Sequence, residues 1–168
     1  MNIYNSKIED IDHIFELYEI ATNFQNEKSM VAWPNFERKL IEKEIRENRQ
    51  WKLIIDDQIA CIWATTESDP QIWGAKNNDP SIYIHRISTS PKFRGRHLVK
   101  NIVKWARKCA EKRNKKYIRM DTVGKNTGLI NHYKVCGFDF IGISKLQHTS
   151  ELPLHYQNAT VSLFQITV

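Results

Sequence analysis

The segment between residues 82 and 138 constrains the fold of this chain more than any other part of the sequence. It predicts a strand at 82–89, a basic turn that contains Arg94-Gly95-Arg96, and an amphipathic helix at 98–112. The first amides of a helix have no partner inside it, and the helix dipole makes them partly positive. A cationic turn that leads from a strand into a helix therefore predicts a binding site for a ligand that carries phosphate groups.

A second set of residues lies further along the same segment. Asn126 is followed by Tyr133 seven positions later and by Gly137-Phe138 four positions after that. Together with a turn that begins at Arg94, this order and spacing resembles the GNAT superfamily of acetyl-coenzyme A-dependent N-acetyltransferases. The resemblance covers residues 50–140 well and the flanks only loosely.

The resemblance implies an α/β fold that forms a single domain over residues 1–168. The implied sheet is mixed and mostly antiparallel, with helices on its faces, and the strands at 82–89 and 117–123 splay apart. Acetyl-coenzyme A lies in that gap in members of the superfamily. The same resemblance implies an acyltransferase that moves the acetyl group from this cosubstrate to a primary amine of a small molecule or peptide, by direct attack in a ternary complex.

The resemblance also assigns the residues that hold the cofactor. Main-chain groups of the strand pair with the pantetheine arm, and an N–H near Ile87 or Ser88 polarises the thioester carbonyl. Asn126 caps the helix that follows it, or hydrogen-bonds the pantetheine or an ordered water, and the two roles are compatible. The full cofactor-binding set is Ile87, Ser88, Thr89, Arg94, Gly95, Arg96, His97, Leu98, Val99, Asn126 and Tyr133.

The turn departs from the superfamily pattern at two positions. Where the pattern has small residues this chain has His97 and Val99, and the β-carbon of each limits how closely the backbone can approach a diphosphate. A helical backbone tolerates both residues, and His97 either donates a hydrogen bond to phosphate or caps an exposed turn. The departure motivates a second hypothesis, in which a non-catalytic domain of this fold binds coenzyme A or a partner protein.

Two side chains are the candidate catalytic residues. Tyr133 matches the general acid of the superfamily, since a phenol and a thiolate have similar pKa values; the alternative is a tyrosine of the core. His85 stands where many members have a carboxylate, and an ordinary histidine pKa of about 6.5 would make it a neutral base at pH 7. The alternative for His85 is a structural histidine. Unbroken strand alternation would put Tyr83, His85, Ile87 and Thr89 on one face.

Aromatic residues and acids suggest an acceptor site, because together they bind cationic amines. The candidate walls are Trp33, Trp63, Trp73 and Tyr83, and the candidate amine anchors are Glu67, Asp69 and Asp79. A core position is the alternative for Trp33 and Trp63.

Positive charge is concentrated around the predicted helix. The net charge is +6, and residues 92–119 hold twelve of the 25 lysines and arginines. Such a segment attracts anionic ligands, and nucleic-acid binding is a third hypothesis, although no recognition motif accompanies it. Alternatively, much of the charge forms a solvated helix face made of Lys100, Lys104, Arg107, Lys108 and Lys112.

Composition indicates a globular, cytoplasmic protein. The chain has no apolar run of about 18 residues, so no membrane span is expected, and its first residues lack the features of a secretory signal. Cys61, Cys109 and Cys136 are odd in number and widely spaced, which favours reduced thiols. Cys136 lies near Tyr133 and is the alternative as a nucleophile. No metal is expected, and a homodimer is an open alternative to a monomer.

Periodicity and turn residues predict the remaining elements. Residues 69–80 form a polar loop. The other predictions are a strand at 1–6, a helix at 8–24, a second helix capped by Asn35 with Phe36, Leu40, Ile41 and Ile45 inward, a hairpin of strands 51–55 and 59–65, a strand at 117–123, a helix at 127–135, and paired terminal strands at 138–143 and 160–167.

Overall fold

Seven strands and five α-helices form an α/β fold in the computed structural model, which describes residues 1–28, 30–147 and 152–168. The strands are β1 (Asn2–Asn5), β2 (Gln50–Ile55), β3 (Gln58–Thr66), β4 (Ser81–Thr89), β5 (Tyr117–Val123), β6 (Asp139–Lys145) and β7 (Thr160–Thr167). The helices are α1 (Ile11–Glu27), α2 (Arg38–Arg46), α3 (Pro70–Trp73), α4 (Val99–Lys112) and α5 (Thr127–Val135). Short 3-10 helices lie at Ile8–Asp10, Gly74–Asn78, Pro91–Phe93 and Leu154–Tyr156.

The strands form one mixed sheet in the order β1-β2-β3-β4-β5-β7-β6. β4 and β5 run parallel, whereas β1–β2, β2–β3, β5–β7 and β6–β7 pair antiparallel. The predicted mixed sheet with flanking helices is confirmed, and so is the pairing of the two terminal strands. The described ladder between β4 and β5 runs from Ser81–Tyr117 to Tyr83–Arg119, at the start of both strands. Separation of these strands beyond that ladder stays a prediction.

The chain divides into two compact units, and the boundary passes through β4. The first unit consists of Met1–Thr65 and His85–Leu98, and the second unit consists of Thr66–Ile84 and Val99–Val168. Each unit has its own hydrophobic cluster. The prediction that residues 1–168 form a single domain stays a prediction.

In the first unit, α1 and α2 pack against Ile62 of β3. Residues at helical spacing supply the apolar stripe of each helix. The hairpin that joins β2 to β3 turns at Asp56 and Asp57, whose φ values of 48° and 56° are those of a tight two-residue hairpin turn. The buried members of the cluster are Ile11, Ile14, Leu17, Tyr18, Ile41, Ile45 and Ile62.

In the second unit, alternation along β7 gives the sheet two differently covered faces. Phe164 packs against Tyr133 of α5, with ring centroids 5.2 Å apart. Leu163 precedes it, pairs with Asp121 of β5 and joins a cluster that contains Trp73 of α3. Asp121 therefore lies on the sheet face that the α3 segment covers, and not on the face covered by α5.

The second predicted helix starts later than the sequence suggested. α2 begins at Arg38 with Glu37 at its N-cap, so the prediction that Asn35 caps it is wrong. Phe36 packs against the α1 cluster before the helix begins. Leu40, predicted to point inward, is 38% exposed, because Ile41 already occupies the buried side of this turn.

The predicted polar loop at 69–80 contains α3 and a 3-10 helix. Pro70 at the first helical position favours a helix start there. Ile72 and Trp73 bury their side chains. A four-residue helix is too short to show a periodic pattern, which explains why the sequence did not indicate it.

Candidate active site

The basic turn that follows β4 presents main-chain donors in the first unit. Gly95 and His97 have φ values of 79° and 52°. Within the described residues, the amides of Gly95, Arg96 and Leu98 donate no hydrogen bond to another main-chain group. Residues in the left-handed conformation turn neighbouring N–H groups toward a bound anion in many phosphate-binding loops. The conformation of the turn therefore fits the phosphate group predicted from its sequence.

Both arginines of the turn are exposed, and both stack on aromatic rings of the first unit. The Arg94 guanidinium lies 4.6 Å from the ring centroid of Phe24 in α1, and that of Arg96 lies 5.1 Å from the centroid of Phe93. A guanidinium that stacks on a ring keeps its N–H donors available for a ligand. The two charges thus remain available to an anion.

His97 adopts a conformation that the sequence did not indicate. α4 begins at Val99, so His97 lies outside the helix, and the expectation that a helical backbone accommodates it is wrong. The left-handed conformation costs a residue other than glycine about 1–2 kcal/mol. Glycine would avoid this cost. Val99 is the first residue of α4, and its side chain, like that of Leu98, is buried.

The lysines of α4 confirm the solvated-face interpretation of the charge cluster. Lys100, Lys104, Lys108 and Lys112 are exposed. Arg107 donates a 3.0 Å hydrogen bond to the carbonyl oxygen of Thr167 at the end of β7. Much of the positive charge therefore faces water along one side of the helix.

β4 is interrupted at Arg86, whose φ is 51°. A left-handed residue within a strand breaks the two-residue alternation, and such irregularities are frequent beside functional sites. The alternation assumed from Tyr83 to Thr89 is therefore not maintained. The Ser88 hydroxyl donates to a carbonyl of α1 (2.8 Å), and the Thr89 hydroxyl donates to a cysteine sulfur of β3 (3.4 Å). Because both side-chain hydroxyls are engaged, the predicted pairing with the cofactor would use the main chain of Ile87–Thr89.

A buried charge network surrounds the interruption. Arg86 forms a salt bridge with Glu44 of α2, which is 4% exposed, and its Nε–H donates to the Tyr18 hydroxyl (3.3 Å). Arg49 lies 3.7 Å from the same carboxylate. The Arg86 guanidinium also lies 5.1 Å from the ring centroid of Phe36. The sequence analysis did not identify this network. The one local indication is that Glu44 lies next to the apolar residues Ile41 and Ile45 on α2.

His85 is half-buried in the first unit. Burial lowers its pKa to about 3, and the charges of Arg86 and Arg49 act in the same direction. A base this weak holds a proton taken from an amine poorly, since catalysis favours a pKa near the working pH. The low pKa therefore counts against His85 as the general base, and its catalytic role stays a prediction.

α5 positions the downstream motif in the second unit. The Asn126 side chain accepts a 2.9 Å hydrogen bond from the amide of Leu129 and caps the helix, which is one of the two predicted roles. Tyr133 is 8% exposed and packs among Phe138, Phe164 and His132. The ring of Tyr133 thus belongs to the core. Its role as the general acid stays a prediction that rests on its position in the motif.

All three cysteines are free thiols. Burial raises the pKa of Cys61 to about 12 and also raises the pKa values of Cys109 and Cys136. The Cys136 sulfur lies 3.8 Å from Nε2 of His132. Because a thiol with a raised pKa is a poor nucleophile at neutral pH, the structure does not favour Cys136 in that role.

The predicted acceptor walls are divided between the two units. In the first unit, Trp63 is fully buried, as the core alternative requires. Trp33 is partly buried, and its ring lies against Tyr18 and Phe36 with centroids 5.8 and 6.0 Å away. In the second unit, the rings of Trp73 and Tyr83 are buried 5.9 Å apart.

The three candidate amine anchors have different surroundings in the second unit. Glu67 pairs with Lys115 (2.6 Å) and Arg113 (3.3 Å), and the hydrogen bond from Lys115 lowers its pKa. Asp79 pairs with Arg119 (2.6 Å). Asp69 instead lies beside a second carboxylate, that of Asp121, which sequence reasoning missed.

Comparison with known proteins establishes the family. The sequence profile of the Acetyltransferase (GNAT) family matches residues 14–138. This chain belongs to the GNAT acetyltransferase family. It is 31% identical over 91 residues to YesJ of Bacillus subtilis, described as an uncharacterized N-acetyltransferase, and that match covers 52% of this chain and 51% of YesJ. The chain thus spans about half the length of this relative. The GNAT resemblance stated from the sequence is confirmed.

Solved structures share the GNAT fold. A GNAT acetyltransferase of Listeria monocytogenes has a TM-score of 0.77 at 20% identity, over 99% of this chain and 94% of that one. One of Streptococcus agalactiae also has a TM-score of 0.77, at 21% identity, over 99% and 95%. The ribosomal-protein-S18-alanine N-acetyltransferase of Escherichia coli has 0.66 at 13% identity, over 99% and 93%.

Family membership supports acetyl transfer in general. Among the helices of the described residues, none combines the length and the apolar character needed to cross a membrane.

Proposed function

We propose that this chain is an acetyl-coenzyme A-dependent N-acetyltransferase that acts on a primary amine by direct attack in a ternary complex. The observation that carries the proposal is the turn at Arg94–Leu98, where two arginines are exposed and, within the described residues, the amides of Gly95, Arg96 and Leu98 donate to no main-chain group. By its resemblance to the GNAT pattern, this turn matches the diphosphate-binding loop of the family. The cytoplasmic location, the single domain and the homodimer remain predictions.

The turn would hold the phosphates of the cofactor. The amides of Gly95, Arg96 and Leu98 are available as donors, and Arg94 and Arg96 add charge. The main chain of Ile87–Thr89 would pair with the pantetheine arm, since such an arm carries peptide-like groups. When bound, acetyl-coenzyme A supplies a thioester whose acyl carbon can accept a nucleophile.

Tyr133 would supply the proton that the reaction needs at sulfur. As the amine nitrogen formed its bond to the acyl carbon, the carbon–sulfur bond would break and the sulfur would take a proton from the phenol. The nitrogen would lose one proton to a base and the phenolate would regain one from solvent, so the net change is one proton moved from nitrogen to sulfur. Proton transfer by a positioned acid contributes roughly 10²–10⁴ in rate. Asn126 would fix the start of α5 and thereby the position of this phenol.

Calorimetry with acetyl-coenzyme A tests the binding part of the proposal. The wild-type protein should bind it, and the Arg94→Ala/Arg96→Ala variant should bind about tenfold or more weakly, since charge-assisted hydrogen bonds to phosphate are lost. The matched control is Lys104→Ala/Lys108→Ala, which removes the same charge from the exposed face of α4. Equal losses in both variants would indicate general electrostatic attraction, and no binding heat would refute the proposal.

Thiol release across a panel of amines tests the catalytic part. Release that depends on both acetyl-coenzyme A and an amine supports the enzyme. Binding of the cofactor without release from any amine would favour the non-catalytic hypothesis instead.

A further inference from the structure

Two carboxylates approach each other in the second unit, on the sheet face covered by the α3 segment. Their nearest oxygens, one from Asp69 and one from Asp121, lie within 4.8 Å of each other. The backbone of Asp69 is fixed by its amide, which donates to the Asn77 side chain (2.6 Å), and by its carbonyl, which accepts from the Trp73 amide (3.0 Å). Asp121 lies within β5 and accepts a 2.8 Å hydrogen bond from the Tyr156 hydroxyl. Both acids are therefore held in place by the fold.

Asp121 forms no salt bridge with a lysine, arginine or histidine in the part of the chain that the structure describes. The nearest cation along β5 is Arg119, and its donors are engaged elsewhere. They bond to the side chain of Gln165, the carbonyl of Lys76 and the carboxylate of Asp79. A protein with a net charge of +6 thus leaves a half-buried carboxylate without a cation, which is unusual for a purely structural acid.

Two buried donors on the same face also lack partners. Tyr83 pairs in register with Arg119, so its side chain lies on the face that carries Asp121. Tyr83 is fully buried and Trp73 is 4% exposed, yet neither the phenol nor the indole N–H has a hydrogen-bond partner among the described residues. The two rings belong to the cluster that contains Leu163, the register partner of Asp121. An unsatisfied buried polar atom is costly, and a ligand that donates to the Tyr83 oxygen would satisfy one of these two.

The chemistry of these groups defines the ligand. Two neighbouring carboxylates complement a compact positive charge, and aromatic rings beside them favour an organic cation over a hydrated metal ion. A primary ammonium offers three donors for the two carboxylates and the phenol oxygen. We propose that Asp69 and Asp121, together with Tyr83 and Trp73, bind the ammonium group of the acceptor, a small cationic primary amine. This inference rests on the proposed acetyltransferase function.

The same pair can take the proton that an ammonium must lose before it attacks. Burial raises the pKa of Asp69 to about 7, with the charge of Asp121 adding to the shift, and burial raises the pKa of Asp121 to about 6. The pair titrates as a unit, so near neutral pH it has room for one proton. An N–H proton moves to a carboxylate oxygen, and the nitrogen keeps the electron pair with which it attacks. Within the second unit, titratable side chains near the pair include Arg119 with its partner Asp79, Tyr83, and Tyr156 with His155 against its ring.

Binding of n-butylamine, with n-butanol as its uncharged counterpart, tests the site directly. By calorimetry without acetyl-coenzyme A, the wild-type protein should bind the amine and not the alcohol. Asp121→Asn should weaken amine binding by about tenfold or more, because a buried charge loses its partner. Glu111→Gln is the matched control, since it removes an exposed carboxylate of α4, and it should leave the amine affinity unchanged.

Steady-state kinetics separates failure of this inference from failure of the proposed function. Asp121→Asn and Asp69→Asn should raise the KM for n-butylamine about tenfold or more while the calorimetric affinity for acetyl-coenzyme A stays unchanged. Amine-dependent thiol release with the same KM in both Asn variants would overturn the carboxylate site and leave the enzyme proposal intact. Amine binding that Asp121→Asn abolishes, without thiol release or acetyl-coenzyme A binding, would support the site and refute the enzyme.

Discussion

Arg86 in β4 and Glu44 in α2 form a salt bridge at the point where the backbone of β4 leaves the extended conformation. Residues in a left-handed conformation within a strand persist where surrounding contacts fix them. The buried carboxylate, the Tyr18 hydroxyl and the Phe36 ring all contact the Arg86 guanidinium. This ion pair therefore supports the segment Ile87–Thr89, which we propose for pairing with the cofactor.

Glu44→Ala should destabilise the protein by about 3 kcal/mol, because the partly buried guanidinium of Arg86 loses its acid. Urea unfolding measures the change. The control is Glu42→Ala in the same helix, whose carboxylate pairs at 3.3 Å with the exposed Arg38 and should contribute less than about 1 kcal/mol. Equal losses in the two variants would contradict the supporting role of the buried pair.

Tyr133→Phe should lower kcat by roughly 10²-fold, since the phenol proton is lost while the ring still packs against Phe138 and Phe164. The calorimetric affinity for acetyl-coenzyme A should stay the same. Tyr4→Phe removes a phenol from an exposed residue of β1 and serves as the control. Unchanged turnover in Tyr133→Phe would remove this residue from the mechanism.

His97→Gly and His97→Ala together separate the backbone from the side chain. At a φ of 52°, glycine should be more stable than alanine by about 1 kcal/mol, as judged by urea unfolding. Both variants lack the imidazole, so a shared loss of acetyl-coenzyme A affinity would show that the ring donates to phosphate. If the Gly variant binds more tightly than the wild type, the β-carbon limits approach of the cofactor.

Local signals in the sequence predicted much of the fold. The bounds of β5, α5 and β7 agree with the prediction, because each has a clear apolar pattern and Asn126 marks the start of α5. The turn at Arg94 was also evident, since its charge and glycine lie together in the chain.

Features that depend on distant contacts could not be predicted in this way. In the sequence, Arg86 looks like any polar residue of a strand, because its partner Glu44 lies far away in the chain, on α2. Asp121 lies between Met120 and Thr122 in β5, and its proximity to Asp69 follows only from the path of the α3 segment. The low pKa of His85 likewise arises from burial and from two arginines, one of them remote in sequence.

His85 should influence acid stability rather than the pH dependence of catalysis. Its folded pKa of about 3 lies below the ordinary value of 6.5, so between these values the unfolded chain binds a proton that the native protein does not. Stability should therefore fall as the pH drops through this range. Between about pH 6.5 and pH 5, the free energy of unfolding should fall by about 1–2 kcal/mol less in His85→Asn than in the wild type. Its pH–rate curve should match that of the wild type, and a flattened curve would instead support His85 as the base.

Asp69 should show the opposite dependence of stability on pH. Its folded pKa of about 7 lies above the ordinary value of 3.8, so the native protein keeps a proton that the unfolded chain releases, and stability falls as the pH rises through this range. Asp69→Asn removes this ionisation. Its free energy of unfolding relative to that of the wild type should therefore rise by roughly 1–3 kcal/mol between about pH 4 and pH 8. Urea unfolding at both pH values measures this gain, with Glu67→Gln as the control, whose lowered pKa predicts no such gain. The same Asn variant should lose affinity for a cationic amine, because it removes a charge from the proposed site. A gain in stability together with this loss is typical of residues that serve a binding site. If the difference in unfolding free energy between Asp69→Asn and the wild type is the same at both pH values, Asp69 does not have the environment that the proposed site requires.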